Sequence, residues 1–341
     1  MACGPPCRTY DGKLKFGIIY LMAPHSLSVI IPTYKGRALH EEFLPSVLEA
    51  AARCPVPVEI LLVDDCSGDG SIEVVSVPPG SPLKLLSTPV NGGFSKTCNF
   101  GAARAAGSIL FFLNNDVRLA PDYFASFPAY FDDGAVFALC PAGYTYYGGA
   151  QIDGLKLLDW RRGMMRFTGN IYNDSLPAPS AGPYPAFGVQ GAYFFCRADR
   201  FRELGGFDEL YSPYIMEESD LCYRALKRGW KIVYGPEFRA WHKVGATIKS
   251  KVSSRAKVLS ARNRLLFVWK NISGPDLLAS HFLFLALRLL ACNIWEWRGL
   301  FGALCLAGEA LRKRRAEAAV VTVRDGEVIA SCRAFAAKFG R

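Results

Sequence analysis

The chain has 341 residues, 51% of them hydrophobic, and a formal net charge of +10. That length suits one large α/β domain with an appendage or two small domains, and so apolar a composition leaves no extended disordered tract. The 11 cysteines form no C-x-x-C pair and the four histidines stand singly, which excludes a disulfide-stapled secreted scaffold and a structural zinc site and points to reduced, largely buried thiols.

Residues 1–21 carry Pro5-Pro6 and an apolar run too short for a signal peptide; they read as dispensable, with translation starting at Met22 and an N-terminal extension over 1–26. Leu27 to Pro32 is a short β-rich run suited to a buried strand. Leu39 to Arg53 is an amphipathic helix with Phe43, Leu44, Val47 and Leu48 on one face. A second strand, Val58 to Val63, ends at Asp64-Asp65, and a third covers Leu83 to Leu86. Asn91-Gly92-Gly93 turns into a helix reaching about Ala106. A fourth strand, Ser108 to Leu113, ends at Asn114-Asn115-Asp116. This alternation predicts an α/β fold with a parallel sheet. In open sheets of that kind ligands bind beyond the carboxyl ends of the strands, where these polar residues fall.

Ala142 to Pro185, rich in Gly, Pro and Tyr, reads as long loops around a site. Strands follow at Val189 to Cys196 and Lys231 to Tyr234. Helices follow at Ala198 to Leu204, Ser219 to Arg228 and Ser253 to Lys270. Lys249 to Lys270 holds seven basic residues and no acid, and Arg312-Lys313-Arg314-Arg315 is a second basic cluster. The 18-residue apolar run Leu277 to Ile294, broken by His281 and Arg288, is borderline for a span. Basic and aromatic flanks favour a helix lying against an anionic membrane or hairpin-like helices dipping into it; a helical pair packed on the domain or in a homo-oligomer is the alternative. No nucleic-acid module is present. Val320 to Val323 reads as a short strand.

Each polar cluster has a plain and a functional reading. Asp64-Asp65 either close a turn or face a ligand. The glycines of Asn91-Gly92-Gly93 permit close approach of an anion to a helix N-terminus, with Lys96 and Asn99 near phosphate or ribose. Asp116, delivered by an apolar strand, suits Mg²⁺ or Mn²⁺ bound with a diphosphate. Glu217, Glu218 and Asp220 crowd a helix start, either as dipole partners or as a base for an acceptor hydroxyl. His242 is a structural histidine or a ligand beside Asp116. The phosphate loop G-x-x-x-x-G-K-[ST] and the dinucleotide fingerprint G-x-G-x-x-G are both absent.

In this order the motifs resemble glycosyltransferase family 2, in its rhamnosyltransferase-like, bacterial cell-surface-polysaccharide branch. The residues that carry the resemblance are Ser-Val-Ile-Ile-Pro-Thr-Tyr34, Val-Asp-Asp-Cys-Ser67, Asn91-Gly-Gly-Phe, Asn99, Leu-Asn-Asn-Asp-Val117, Gly-Gly-Phe-Asp-Glu209, Glu-Glu-Ser-Asp-Leu221 and Arg262-Asn263. The resemblance covers about Leu27 to Lys270. By its apolar and basic pattern, 273–341 reads as a helical membrane-associating or oligomerising region; the resemblance implies a GT-A domain over 27–272 and inversion at the anomeric carbon. It implies that Pro32, Thr33, Tyr34 and Asp64 line the base pocket near Asp65. Asn91 and Asn99 flank the nucleotide, with Gly92, Gly93, Lys96, Asn114 and Asn115 around it.

The same resemblance implies that Asp116 and His242 hold the metal and Glu218 is the base. Glu217 and Asp220 then help to place the acceptor, and Gly191 and Ala192 contact it. Two departures stand out: one carboxylate in Asn114-Asn115-Asp116, and Glu218 where the family commonly has Asp, which leaves Glu217 or Asp220 as alternative bases. The Q-x-x-R-W signature of processive synthases is missing, so one sugar per encounter is expected. The expected donor is a UDP- or dTDP-sugar, the acceptor a glycan or lipid-linked hydroxyl, and the location the cytoplasmic face of the inner membrane. A catalytically inactive sugar-nucleotide-binding module and a sugar-phosphate nucleotidyltransferase are the alternatives.

Overall fold

Short apolar runs become the strands of one ten-stranded sheet in the computed structural model, which describes residues 25–176, 183–213, 215–243, 253–291 and 293–340. The suggested start at Met22 and the basic residues Lys249 and Lys251 lie outside the described residues. The first half of the chain supplies β1 (Leu27–Thr33), α1 (Arg37–Ala52), β2 (Val58–Asp64), β3 (Leu83–Ser87), α2 (Phe94–Ala102), β4 (Ile109–Leu113), β5 (Val117–Leu119) and α3 (Phe127–Tyr130). Then come β6 (Val136–Thr145), β7 (Gln151–Asp153), β8 (Leu155–Arg161), β9 (Met164–Ile171), β10 (Tyr184–Ala186), β11 (Tyr193–Arg197), α4 (Ala198–Glu203), α5 (Glu217–Lys227) and β12 (Lys231–His242). The helices α6 (Ser254–Asn271), α7 (Pro275–Leu290), α8 (Ile294–Cys305), α9 (Ala307–Ala318) and α10 (Asp325–Ala337) complete it.

The sheet order is β10-β12-β6-β11-β4-β1-β2-β3, with β5 added to β12 and β7 to β6. Strands β3, β2, β1 and β4 run parallel, and β11 enters antiparallel between β4 and β6. Both faces of the sheet are covered, which is why its central strands read as unbroken apolar runs. Along β1 the side chains alternate accordingly: Ile30 belongs to one apolar cluster, Val29 and Ile31 to the other. The predicted parallel α/β series over residues 27–113 is therefore present.

Two local expectations are corrected and one is resolved. The stretch 142–185 is not mainly loop: it finishes β6 and forms β7, the antiparallel pair β8–β9, and β10. Its Gly and Tyr content misled because Tyr and β-branched neighbours serve strands equally well. Val320 to Val323 is not a strand; the amides of Thr322 and Val323 both donate to the Lys227 carbonyl (2.9 and 3.0 Å), so they cap α5 instead of pairing with a sheet. Of the readings for Leu277 to Ile294, a single helix or a helical pair, the pair is found: α7 ends at Leu290 and α8 begins at Ile294. No described helix is long and apolar enough to cross a membrane.

The C-terminal helices share the core of the sheet. Ala303, Ala310, Val328, Ile329 and Cys332 are buried in the same cluster as Ile30 and Leu110. Gly299 lets α8 approach α6 closely, since a Cβ there would stand 2.5 Å from that of Ala261. Cys98, Cys140, Cys196, Cys222 and Cys332 are free and buried, as thiols packed like small apolar side chains.

Candidate active site

Strand register brings the first polar group together. Thr33 at the end of β1 lies opposite Asp64 at the end of β2. Asn115, just beyond β4, donates to Thr33 Oγ1 at 2.8 Å, and Thr33 Oγ1 in turn lies 2.7 Å from His40 Nε2. His40 is buried and its pKa is lowered by that burial, so it is a neutral partner. Gly36 makes room for this knot: a Cβ there would stand 2.7 Å from His40 Nε2 and 2.9 Å from Asn115 Nδ2. The sequence reading missed His40; its position seven residues after Thr33, on the first turn of α1, was the available signal. Tyr34 is half exposed at the rim, and Lys35 turns the chain with φ 52°.

The acidic pair at the end of β2 divides its work. Asp64 accepts from the Ser67 amide at 2.9 Å and from the Ser67 hydroxyl, which closes the turn after the strand. Asp65 accepts from the amides of Gly92 (2.8 Å) and Gly93 (2.7 Å) and from Thr88 Oγ1 (3.2 Å), while the Asn91 side chain donates to the Asp65 carbonyl. Asp65 therefore shapes the glycine loop, in which Gly93 takes φ 77° before α2. Asn99 is corrected from a nucleotide contact to a clamp: its amide donates to the Phe207 carbonyl and accepts the Phe207 amide, both at 2.9 Å. Lys96 folds its chain over Gly92 and directs its ammonium at Glu209, 3.8 Å away on the surface.

Asp116 is brought to His242 by β-pairing of Val117 with His242. Asp116 is buried, and its Oδ1 has no hydrogen-bond partner, although His242 Nε2 stands 3.2 Å away. A buried carboxylate oxygen without a donor is costly unless a cation completes it. One carboxylate beside one imidazole is a donor set that fits Mg²⁺ or Mn²⁺. Among the described residues no three His, Cys, Asp or Glu gather, so the diphosphate and water would supply the other ligands.

The second acidic group opens α5. Met216, just before it, takes φ 86°, which turns the helix start sharply. Glu218 lies beside Gly191, where an added Cβ would be 3.5 Å from its carboxyl carbon. The Ala192 carbonyl accepts the Asn114 amide at 2.7 Å, so the loop holding Gly191 is tied to the segment holding Asp116. Burial raises the Glu218 pKa, and Lys156 opposes that rise. Burial and then the charge of Glu218 push Glu217 up to about 8. Burial thus favours the protonated form of both carboxyls, and a charge on Glu218 further favours the proton on Glu217.

A stability prediction follows for Glu217. Between the ordinary carboxyl range and about pH 8 the unfolded chain has released this proton while the fold retains it. The associated stability is complete below the unfolded pKa and disappears as pH rises through about 8. Glu217→Gln should flatten that decline in urea midpoints measured from pH 5 to pH 8.5; an unchanged slope would mean that Glu217 is not the retained proton's site.

Asp220 is corrected as a base candidate. It is fully buried, and its oxygens accept from Tyr211, Lys270, Asn271 (each 2.8 Å) and Arg224 (2.7 Å). Despite the opposing effect of burial, Lys270 and Arg224 hold its pKa well below the usual carboxylate range. Asp208 joins the cluster through Lys270 (2.6 Å) and through Lys313 of α9 (2.7 Å). These groups lock α5 to α6 and α9 and have no free oxygen to offer a substrate.

Residues 28–183 match the model for "Glycosyl transferase family 2". The chain is also 30% identical over 245 residues to the N-acetylglucosaminyl-diphospho-decaprenol L-rhamnosyltransferase of Mycobacterium tuberculosis, covering 63% of this chain and 75% of that protein. The chain belongs to glycosyl transferase family 2. This glycosyltransferase is similar in fold to the mannosyltransferase PcManGT from Pyrobaculum calidifontis, solved with GDP-Man and Mn²⁺ (TM-score 0.53, 17% identity, 93% of this chain and 86% of that one). It is similar also to GalNAc-T7, solved with UDP, GalNAc and Mn²⁺ (TM-score 0.54, 18% identity, 72% of this chain), of which it spans about half, 48%. The fold of the glycosyltransferase is GT-A: a curled, mostly parallel sheet with helices on both faces. Family membership also sets aside the inactive-module and nucleotidyltransferase alternatives.

Proposed function

We propose that this glycosyltransferase inverts the anomeric centre as it moves one sugar from a UDP- or dTDP-sugar to a hydroxyl of a glycan or lipid-linked acceptor, in cell-envelope polysaccharide synthesis at the cytoplasmic face of the membrane. The observation that carries the reading is the pairing of two acidic sites through one short loop: the unsatisfied Asp116 Oδ1 beside His242, and Glu218 beside Gly191. In this reading Thr33, Tyr34, Asp64 and Asn115 receive the base and ribose, and the loop shaped by Asp65 the phosphates. Glu218 takes the acceptor proton as the acceptor oxygen bonds to the anomeric carbon and the bond to the diphosphate breaks on the opposite face. Asp116 and His242 would hold Mg²⁺ or Mn²⁺, which supplies charge neutralisation to the departing diphosphate. The relative from Mycobacterium tuberculosis is named for a diphospho-decaprenol acceptor, which supports a lipid-linked acceptor here.

The helices α7 and α8 support work at a membrane surface. The polar breaks in the apolar run face the protein: His281 accepts from Trp269 Nε1 (3.0 Å) and meets the Gly163 carbonyl (2.7 Å), and Arg288 donates to the Arg162 carbonyl. Phe282, Leu283, Leu287, Leu290 and Phe301 are left exposed. An outward apolar face bordered by basic residues suits an anionic lipid surface.

The test is a thermal-shift screen of UDP- and dTDP-sugars with Mn²⁺, followed by turnover with Mn²⁺ and with EDTA. One donor should raise Tm in a Mn²⁺-dependent way, EDTA should stop turnover, and Asp116→Asn should remove the Mn²⁺-dependent part of the rise. Full turnover in EDTA would rule out the metal assignment.

A further inference from the structure

Three arginines without carboxylate partners surround the cavity next to Glu218. The cavity, about 340 Å³, is lined by Arg166, Arg264 and Arg288 together with Glu218, Met165 and Glu296. Among the described residues none of the three arginines has a carboxylate oxygen within 4.0 Å. Arg166 Nε is buried and has no hydrogen-bond partner. Burial, and then the charges of Arg166, Arg264 and Arg162 set against Glu296, lower the pKa of Arg288. Elsewhere the chain neutralises its buried cations with acids, as around Asp220. Here three arginines, Arg264 exposed and Arg166 and Arg288 part-buried, gather without an ion-pair partner although Glu218 and Glu296 line the same cavity, and an anionic ligand would complete them.

The shape of that ligand follows from the surroundings. Guanidinium forks match phosphate oxygens, and several of them suit a group with more than one negative charge. Met165 lines the same cavity, and Arg288 lies on α7 beside the exposed Leu287 and Leu290, so an apolar chain can leave the site along the outward face. Resting on the lipid-linked acceptor proposed above, we infer that this cavity seats the diphosphate of an isoprenoid-diphosphate-linked acceptor, with Arg166, Arg264 and Arg288 on its phosphate oxygens and the acceptor sugar turned toward Glu218. The donor diphosphate keeps its own place at Asp116, so two diphosphates occupy separate sites on either side of the transferred sugar.

The experiment measures binding to the full chain without donor or metal, so that it stands or falls independently of turnover. Farnesyl diphosphate is the probe, with inorganic diphosphate and phosphatidylglycerol vesicles as separate arms. Farnesyl diphosphate should bind, more tightly than inorganic diphosphate, and Arg264→Gln/Arg288→Gln should weaken it at least about tenfold. Arg333→Gln removes a surface charge that pairs with Asp159 and does not line the cavity, and should leave the affinity as it was. Equal weakening by Arg333→Gln, or no weakening by the double variant, overturns the assignment. So does vesicle binding that depends on Arg264 and Arg288 when farnesyl diphosphate does not bind, since the anion would then be a bilayer headgroup. The double variant's melting curve verifies that it is folded; if it is not, Arg288→Lys and Arg264→Lys replace it with the same expectation of weaker binding.

Discussion

Glu218→Gln is expected to lower turnover by about 10²–10⁴-fold while leaving nucleotide-sugar binding near its original strength, because general-base help of this kind has that worth. Three observations single out Glu218 from its acidic neighbours. It lines the cavity, it lies beside Gly191, and burial together with its charge favours the proton on Glu217. A burial-raised carboxylate takes a proton more readily than an ordinary one, so kcat/KM of the native enzyme should climb with pH as Glu218 ionises, and the climb should vanish in the variant. The fold should be as stable in Glu218→Gln as in the native chain, or more so, since burial disfavours the charge that the substitution removes. Turnover within a few-fold of native would move the base to Glu217.

Asp220→Ala should do the reverse. Removing this carboxylate takes from Arg224 its near carboxylate and leaves Lys270 with Asp208 alone, and breaking a buried pair from one side costs about 3–5 kcal/mol. Much of a domain's net stability is of that size, so the expected result is a chain that unfolds at far lower urea or is recovered insoluble. The cost is largest because the cluster ties three helices together: Asp220 and Arg224 come from α5, Lys270 from α6, and Lys313 reaches Asp208 from α9. A variant that stays as stable as native yet loses activity as steeply as Glu218→Gln would return Asp220 to the chemistry.

The contrast between these two residues separates what local pattern conveys from what packing adds. Both were visible as acids at a helix start, two positions apart. On a helix that spacing turns them to different faces, and only the neighbours decide their fates. Asp220 meets the cation Lys270 from α6, some fifty residues later in the chain, and Glu218 lies beside a glycine and a cavity. The same holds after β2: Asp64 and Asp65 read as one carboxylate pair, but Asp65 is consumed by amides of Gly92 and Gly93. Asn99 looked like a ligand residue because it follows a glycine loop, and the loop at Phe207 claimed it instead.

By itself the sequence determined the strand–helix alternation of residues 27–113, the placing of polar residues at strand ends and the family, since these rest on short-range apolar periodicity and on motif order. Tertiary structure alone decided which acids stay free, that His40 joins Thr33 and Asn115, that 142–185 folds into strands, and that Arg166, Arg264 and Arg288 share a cavity. The physical reason is range. Strand and helix preferences arise from neighbours within a few residues, whereas burial, ion pairing and pKa are set by groups that only the completed packing brings together.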